Sequence, residues 1–143
     1  MTDTLTLANA KRIVEVALAK GAELGLKPLT VAVLDAAGDL VALERQDGAS
    51  PLRPAIAIGK AHGAVQMGVG SRALWKRAEE QPYFIQSVNA LAGGSLVPVP
   101  GGVLVRANGR VVGAVGITGD TSDNDEAAAV AGIEAVGLAA DRG

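Results

Sequence analysis

The chain has 143 residues, a formal net charge of −2, one histidine and no cysteine. This length fits one domain, residues 1–143, with a core that needs no disulfide. The lack of cysteine excludes disulfides, thiolate metal sites and cysteine nucleophiles, and the single histidine excludes a zinc site built from several imidazoles. We therefore predict no metal site made of protein ligands.

Charge and hydropathy patterns exclude further classes of function. No basic stripe interleaved with aromatic residues occurs, so nucleic-acid binding is not expected. The start, Met1 to Thr4, carries an acid and lacks the basic and apolar regions of a secretory signal. No apolar run approaches the roughly 20 residues of a membrane span. We therefore expect a cytoplasmic protein that does not bind membranes.

The apolar composition is unusual and predicts self-association. Hydrophobic residues make up 49% of the chain but aromatic residues only 2%, and there are 19 glycines. A small domain built from Ala, Val, Leu and Ile leaves apolar surface that a second subunit could cover. We predict a homo-oligomer; the alternative is an alanine-rich composition without structural meaning.

The first half of the chain alternates between helical and strand patterns. Apolar residues at helical spacing end at Gly25 and Pro28, and a turn at 36–39 joins a β-branched run to a second strand as an antiparallel hairpin. The predicted elements are a helix over 6–25, strands over Leu29–Asp35 and Leu40–Glu44, and a slim Ala- and Gly-rich helix over 52–68.

The second half predicts two short helices, a second hairpin and a final helix. Asn108-Gly109 favours a type I′ turn, because both central residues of that turn need positive φ. Asp123 and Glu126 resemble a capping box, with Ser122 or Asp123 as the cap. The predicted elements are helices over 72–80 (capped by Ser71) and 83–91 (begun by Pro82), a non-helical stretch over 93–102, strands over Val103–Ala107 and Val111–Ile117, and a helix over 124–140.

The order of the predicted helices and strands, with two hairpins, predicts an α/β fold of the α+β type, in which helices pack on an antiparallel sheet. Several motifs, in their order and spacing, resemble the GlcG/HbpS-like family, which includes the C-terminal domain of PduO. The motifs are Val33-Leu34-Asp35-Ala36-Ala37-Gly38, Lys60-Ala61, Val97-Pro98-Val99-Pro100-Gly101-Gly102, Asn108 to Gly119, and Asp125-Glu126.

This resemblance implies a profilin-like fold with a five-stranded antiparallel sheet flanked by helices. It also implies assembly into dimers or larger rings, up to octamers. Some members bind haem, and one branch senses redox stress or degrades haem. The family therefore constrains the fold more than the function.

Three residues of the second predicted helix could bind a cofactor. His62 is the only neutral nitrogen ligand for a haem iron, and the nearby Lys60 could pair with a propionate or another carboxylate. Arg53 lies seven residues from Lys60, so the two cations share a helix face and could hold an anion. The alternatives are a histidine without a ligand and an ordinary solvated helix face.

Two carboxylates open the last predicted helix and could act in catalysis. Glu126, or its neighbour Asp125, could act as a general acid/base in a pocket beside Gly119. The alternative is structural, because carboxylates at a helix start interact favourably with the helix dipole.

These residues leave three hypotheses for function. The first is a protein that binds a small planar or anionic ligand, with haem as the candidate cofactor. The second is a cofactor-free enzyme that acts on a small organic acid by carboxylate acid/base chemistry. The third is an accessory oligomeric subunit.

Overall fold

The computed structural model describes residues 4–143. Met1, Thr2 and Asp3, part of the acidic start noted in the sequence, lie outside the described residues. The elements are α1 (Leu7–Leu24), β1 (Thr30–Asp35), β2 (Leu40–Arg45), α2 (Arg53–Met67), α3 (Ser71–Glu80), α4 (Pro82–Leu91), β3 (Gly102–Ala107), β4 (Arg110–Thr118), α5 (Ser122–Ala135) and β5 (Ala139–Asp141).

The five strands form one antiparallel sheet in the order β2-β1-β4-β3-β5. The early hairpin and the late hairpin join where β1 pairs with β4, from Thr30 opposite Thr118 to Asp35 opposite Gly113. The predicted α+β, profilin-like fold with a five-stranded antiparallel sheet flanked by helices is confirmed.

Alternate residues of each strand face two different helical layers. Val31 and Val33 of β1 belong to a core that includes residues of α1 and α5. Leu34 packs on the opposite face with Ala61 and Ala64 of α2. This period of two is the side-chain geometry of a strand, and it places α2 over one side of the central strands.

Helix α2 lies unusually close to the sheet because β4 has a glycine beneath it. A Cβ atom on Gly116 would lie 1.9 Å from the carbonyl oxygen of Ala57. Only a residue without a side chain permits this approach, which brings the polar face of α2 to the end of β4.

The Asn108-Gly109 turn is confirmed, since both residues have positive φ, at 53° and 78°. The prediction of a last helix over 124–140 is wrong at both ends. Helix α5 begins at Ser122, and it ends at Ala135 before Gly137 takes a φ of 77°. The following residues form β5 at the edge of the sheet.

Three capping predictions are also wrong. The N-cap of α5 is Thr121, whose hydroxyl accepts a hydrogen bond from the backbone of Asn124. The Glu126 side chain accepts hydrogen bonds from Arg72 instead of completing a capping box. Ser71 is the first residue of α3, after the N-cap Gly70, and its buried hydroxyl accepts from the Gly102 backbone at 2.7 Å.

Across residues 4–143, none of the helices combines the length and apolar character that a bilayer crossing requires.

Candidate functional site

Lys60 lies at the centre of a buried polar contact between α2, β4 and α5. Its Nζ donates to the carbonyl oxygen of Ile117 at 2.9 Å and to Oδ2 of Asp125 at 3.3 Å. Lys60 is 2% exposed and Asp125 is 1% exposed. The interpretation of Lys60 as part of a solvated helix face is therefore wrong, and the structure brings together two of the predicted site residues.

Burial dominates the electrostatics of this pair. Burial lowers the pKa of Lys60, and the attraction of Asp125 opposes that effect only in part. Burial likewise raises the pKa of Asp125 against the attraction of Lys60. Each charge therefore depends on its partner, because an unpaired charge in this position would lack both water and a counter-ion.

The pair is fixed by backbone as well as by charge. The second carboxylate oxygen of Asp125 accepts from the backbone of Asp120 at 2.9 Å. Gly101, with a φ of 122°, leaves room for the Lys60 side chain, since a Cβ there would lie 2.8 Å from Nζ. These contacts hold α2 against the sheet and explain why Lys60 is enclosed.

Arg53 lies two helical turns before Lys60 and has partners of its own. Its Nη1 donates to the hydroxyl of Thr118 at 2.8 Å, and its Nε donates to the hydroxyl of Ser50 at 3.3 Å. The guanidinium is half-buried and has five N–H donors, so these two contacts leave donors for a further acceptor. The two cations share a helix side but bind different groups.

Glu126 and Asp125 do not meet in one site. Glu126 is 4% exposed and accepts from Nε of Arg72 at 2.9 Å, while Asp125 contacts Lys60. Arg72 also binds Asp123, and Arg142 lies 3.8 Å from Glu126. This cluster lines a cavity of about 430 Å³ on the outer side of α5. Glu126 thus ties α3 to α5.

His62 is half-buried, and one of its ring nitrogens is fixed by the segment before β3. Nδ1 lies 2.5 Å from the hydroxyl and 3.3 Å from the carbonyl oxygen of Ser95. Nε2 has no hydrogen-bond partner among residues 4–143. Because His62 and Lys60 are two residues apart on a helix, they point to different sides, and the structure does not bring them together.

A groove of about 290 Å³ begins at Ser95 and runs along α2. Its walls are mostly apolar, from Leu52, Ala55 and Ile56 on one side and Gly94, Ser95 and Val97 on the other. Ser95 therefore connects the only histidine to a surface suited to an apolar ligand.

A larger cavity of about 560 Å³ lies between the end of α1 and the end of β2. None of the predicted site residues lines it. The side-chain oxygen of Gln46, one of its polar groups, already accepts from the Leu29 backbone at 2.7 Å. Size alone therefore does not make this cavity the better candidate site.

Ser95, Thr118 and Arg72 contact predicted site residues, but sequence reasoning missed all three. Ser95 is 33 residues from His62, Thr118 is 65 from Arg53, and Arg72 is 54 from Glu126. Local sequence patterns do not predict contacts between residues so far apart in the chain. The one available signal was the position of Ser95 beside Gly93-Gly94 in a stretch that cannot be helical.

Known proteins of similar sequence and structure place the chain in a family. The family model described as "Haem degrading protein HbpS-like" matches residues 5–134. An uncharacterised 15.0 kDa protein from the dhaT-dhaS intergenic region of Citrobacter freundii is 31% identical over 124 residues, covering 85% of this chain and 84% of that protein.

Solved structures agree with the sequence match. HbpS is 28% identical with a TM-score of 0.82, covering 95% of this chain and 92% of that chain. A double mutant of Streptomyces reticuli HbpS has the same identity and TM-score, with coverage of 95% and 89%. The PduOC:haem complex shares the fold, with 24% identity, a TM-score of 0.84 and coverage of 94% and 96% of the two chains. The chain belongs to the HbpS-like family.

Proposed function

We propose that this protein binds a small planar ligand, with haem as the candidate, and that His62 supplies the axial nitrogen. Membership of the HbpS-like family and the haem complex of a protein with this fold support the proposal. The observation that carries it is the half-buried imidazole of His62, with Nδ1 held by Ser95 and Nε2 without a partner among residues 4–143.

The residues present fit a haem in two respects. A bound haem would supply an iron atom that takes an imidazole nitrogen as axial ligand. Nδ1 of His62 is engaged and Nε2 has no partner within residues 4–143, which is the arrangement that an axial ligand needs. The second respect is the absence of a side chain at Gly38, where a Cβ atom would lie 3.8 Å from Nε2.

Arg53 is a candidate partner for an anionic ligand on the side of α2 that it shares with Lys60, away from His62. It is half-buried and keeps donors beyond those used on Thr118 and Ser50, and Arg binds carboxylates in a fixed fork. Lys60, in contrast, already pairs with Asp125 beneath α2. We infer that Lys60 supports the site by fixing the helix instead of contacting the ligand.

The geometry favours ligand binding over the acid/base enzyme considered from the sequence. Both predicted carboxylates are nearly fully buried, and each is ion-paired, Asp125 with Lys60 and Glu126 with Arg72. A general acid/base must reach the proton that it moves, which these contacts oppose.

Titration with haemin tests this proposal. We expect stoichiometric binding with a sharp shift of the Soret absorbance band. In His62→Ala we expect the affinity for haemin to fall by roughly 100-fold. Removing only the hydrogen-bond partner of a metal-binding residue typically costs about 10–100-fold, and this variant removes the metal-binding residue itself. Lys11→Ala, on the exposed surface of α1 and on the other side of the sheet, is the control and should bind as the wild type does.

An unchanged haemin spectrum at stoichiometric protein would rule out haem as the ligand. Equal affinity in wild type and His62→Ala would instead rule out His62 as the axial residue.

We also propose that the protein assembles with copies of itself through α4. Residues 82–105 contain no charged side chain and no histidine. Within this stretch, Tyr83 is 66% exposed and Leu91 is 88% exposed. Interface centres are depleted of charge and enriched in aromatic residues, so the surface suits a second copy of the chain.

Light scattering after size-exclusion chromatography measures this assembly. The wild-type mass should be a multiple of 14.3 kDa, and Leu91→Glu should shift it towards one chain because a carboxylate would be buried unpaired. Leu7→Glu, which changes an exposed leucine of α1, is the matched control. A wild-type protein of single-chain mass at all concentrations would contradict the proposal.

A further inference from the structure

Two atoms of Ser95 converge on one atom of the only histidine. Nδ1 of His62 lies 2.5 Å from the Ser95 hydroxyl oxygen and 3.3 Å from the Ser95 carbonyl oxygen. The same hydroxyl lies 3.4 Å from the carbonyl oxygen of Ala92. These three contacts constrain which group donates and which accepts.

A carbonyl oxygen can only accept a hydrogen bond. If Nδ1 of His62 carried a lone pair, it could accept from the Ser95 hydroxyl at 2.5 Å, but it would also face the carbonyl oxygen of Ser95 at 3.3 Å, a repulsive contact, and the hydroxyl could no longer donate to Ala92. If Nδ1 carries the proton, it donates to Ser95, and the serine hydroxyl is left to donate to the carbonyl oxygen of Ala92. All three contacts are then favourable.

We propose that Ser95 is a positioning residue that holds neutral His62 as the Nδ1–H tautomer, so that Nε2 presents its lone pair. In free histidine the neutral ring prefers the proton on Nε2, so the protein reverses the intrinsic preference. A ring nitrogen that binds a metal centre is commonly set by the hydrogen bond of the other nitrogen. The relevance of this tautomer to haem iron rests on the proposed function.

The backbone around Ser95 is fixed on both sides, so its carbonyl keeps its direction. The Gly94 backbone donates to the carbonyl oxygen of Asn89 at 2.8 Å, and the Leu96 backbone donates to the Asn89 side chain at 3.0 Å. The Val97 backbone donates to the carbonyl oxygen of Gly59, which lies one turn before His62 in α2, at 3.2 Å. The acceptor for Nδ1 is therefore built into the fold.

The opposite edge of the ring is kept uncrowded by a glycine. A Cβ atom on Gly38 would lie 3.3 Å from Cδ2 and 3.8 Å from Nε2 of His62. With a φ of 89°, Gly38 also adopts a conformation that other residues rarely take. The turn between β1 and β2 thus leaves space beside the nitrogen that has no partner.

The tautomer can be measured without haem, because the single histidine gives one set of signals. Long-range ¹H–¹⁵N correlation spectra of the ligand-free protein at about pH 8.5, where an ordinary histidine is neutral, distinguish the two nitrogens. We expect a protonated Nδ1 and an unprotonated Nε2. In Ser95→Ala we expect the population to shift towards Nε2–H and haemin affinity to fall roughly tenfold.

Ser87→Ala is the matched control, since the Ser87 hydroxyl bonds only to the carbonyl oxygen of Tyr83 at 2.9 Å, away from His62. A wild-type ring protonated on Nε2, or an unchanged tautomer in Ser95→Ala, would overturn the inference. An Nδ1–H ring that shifts in Ser95→Ala supports the inference even if haemin does not bind, in which case only the proposed function fails.

Discussion

Lys60→Met is expected to destabilise the fold by about 3–5 kcal/mol near neutral pH. The methionine retains most of the side-chain volume but removes the charge that lies 3.3 Å from Asp125. Asp125, at 1% exposure, would then be a buried charge with no counter-ion. Urea denaturation of the two proteins measures the difference in the free energy of unfolding.

The loss caused by Lys60→Met should depend on pH in a defined direction. Burial already raises the pKa of Asp125, and removing Lys60 raises it further. A group with a raised folded-state pKa contributes stability below its unfolded pKa and loses that contribution as pH rises through the folded value. The deficit of the variant should therefore shrink as the solution is acidified towards about pH 4.

Two control variants distinguish charge from packing at this position. Lys11→Met removes an exposed lysine of α1 and should change stability by less than about 0.5 kcal/mol. The double variant Lys60→Met/Asp125→Leu should recover most of the loss, because replacing a whole buried pair by apolar residues is often neutral. If Lys60→Met were as stable as the wild type at neutral pH, Lys60 and Asp125 would not form a buried ion pair.

Gly116→Ala is expected to destabilise the fold by up to about 3 kcal/mol, the upper range for overpacking a core. The added carbon would lie 1.9 Å from the carbonyl oxygen of Ala57 and 3.0 Å from the backbone nitrogen of Ala61. Backbone atoms inside a helix cannot rotate away, so α2 as a whole would have to move from the sheet. Thermal and urea unfolding measure the change.

Gly63→Ala adds the same atom in a different environment and serves as the control. Its Cβ would lie 3.0 Å from Cγ of Leu96, a side-chain atom that can shift. Alanine in a helix interior also gains about 1 kcal/mol over glycine. We expect this variant to stay within about 1 kcal/mol of the wild type. An equal loss in the free energy of unfolding for Gly116→Ala and Gly63→Ala would contradict the close contact assigned to Gly116.

Local patterns predicted most of the fold because most elements carry their own signals. The Asn108-Gly109 turn correctly predicted the late hairpin, and helical spacing that ends at Gly25 correctly predicted α1. The last helix was predicted too long because Gly137, which follows the end of α5 and has a φ of 77°, was taken as part of the helix. Only pairing with β3 makes Ala139–Asp141 a strand, and that partner is distant in the chain.

The candidate site was harder to predict because its geometry depends on contacts across the fold. Spacing placed Arg53 and Lys60 on one side of a helix, but it could not show that Gly101 and Ile117 enclose the Lys60 amine. Adjacent positions suggested that Asp125 and Glu126 act together, whereas tertiary partners separate them.

A crystal structure of the protein grown with haemin tests the central claim most directly. We expect porphyrin density beside α2, with the iron bonded to Nε2 of His62 and with Nδ1 still within hydrogen-bond distance of Ser95. Haemin seated elsewhere, for example in the cavity between α1 and β2, with His62 uncoordinated, would contradict it.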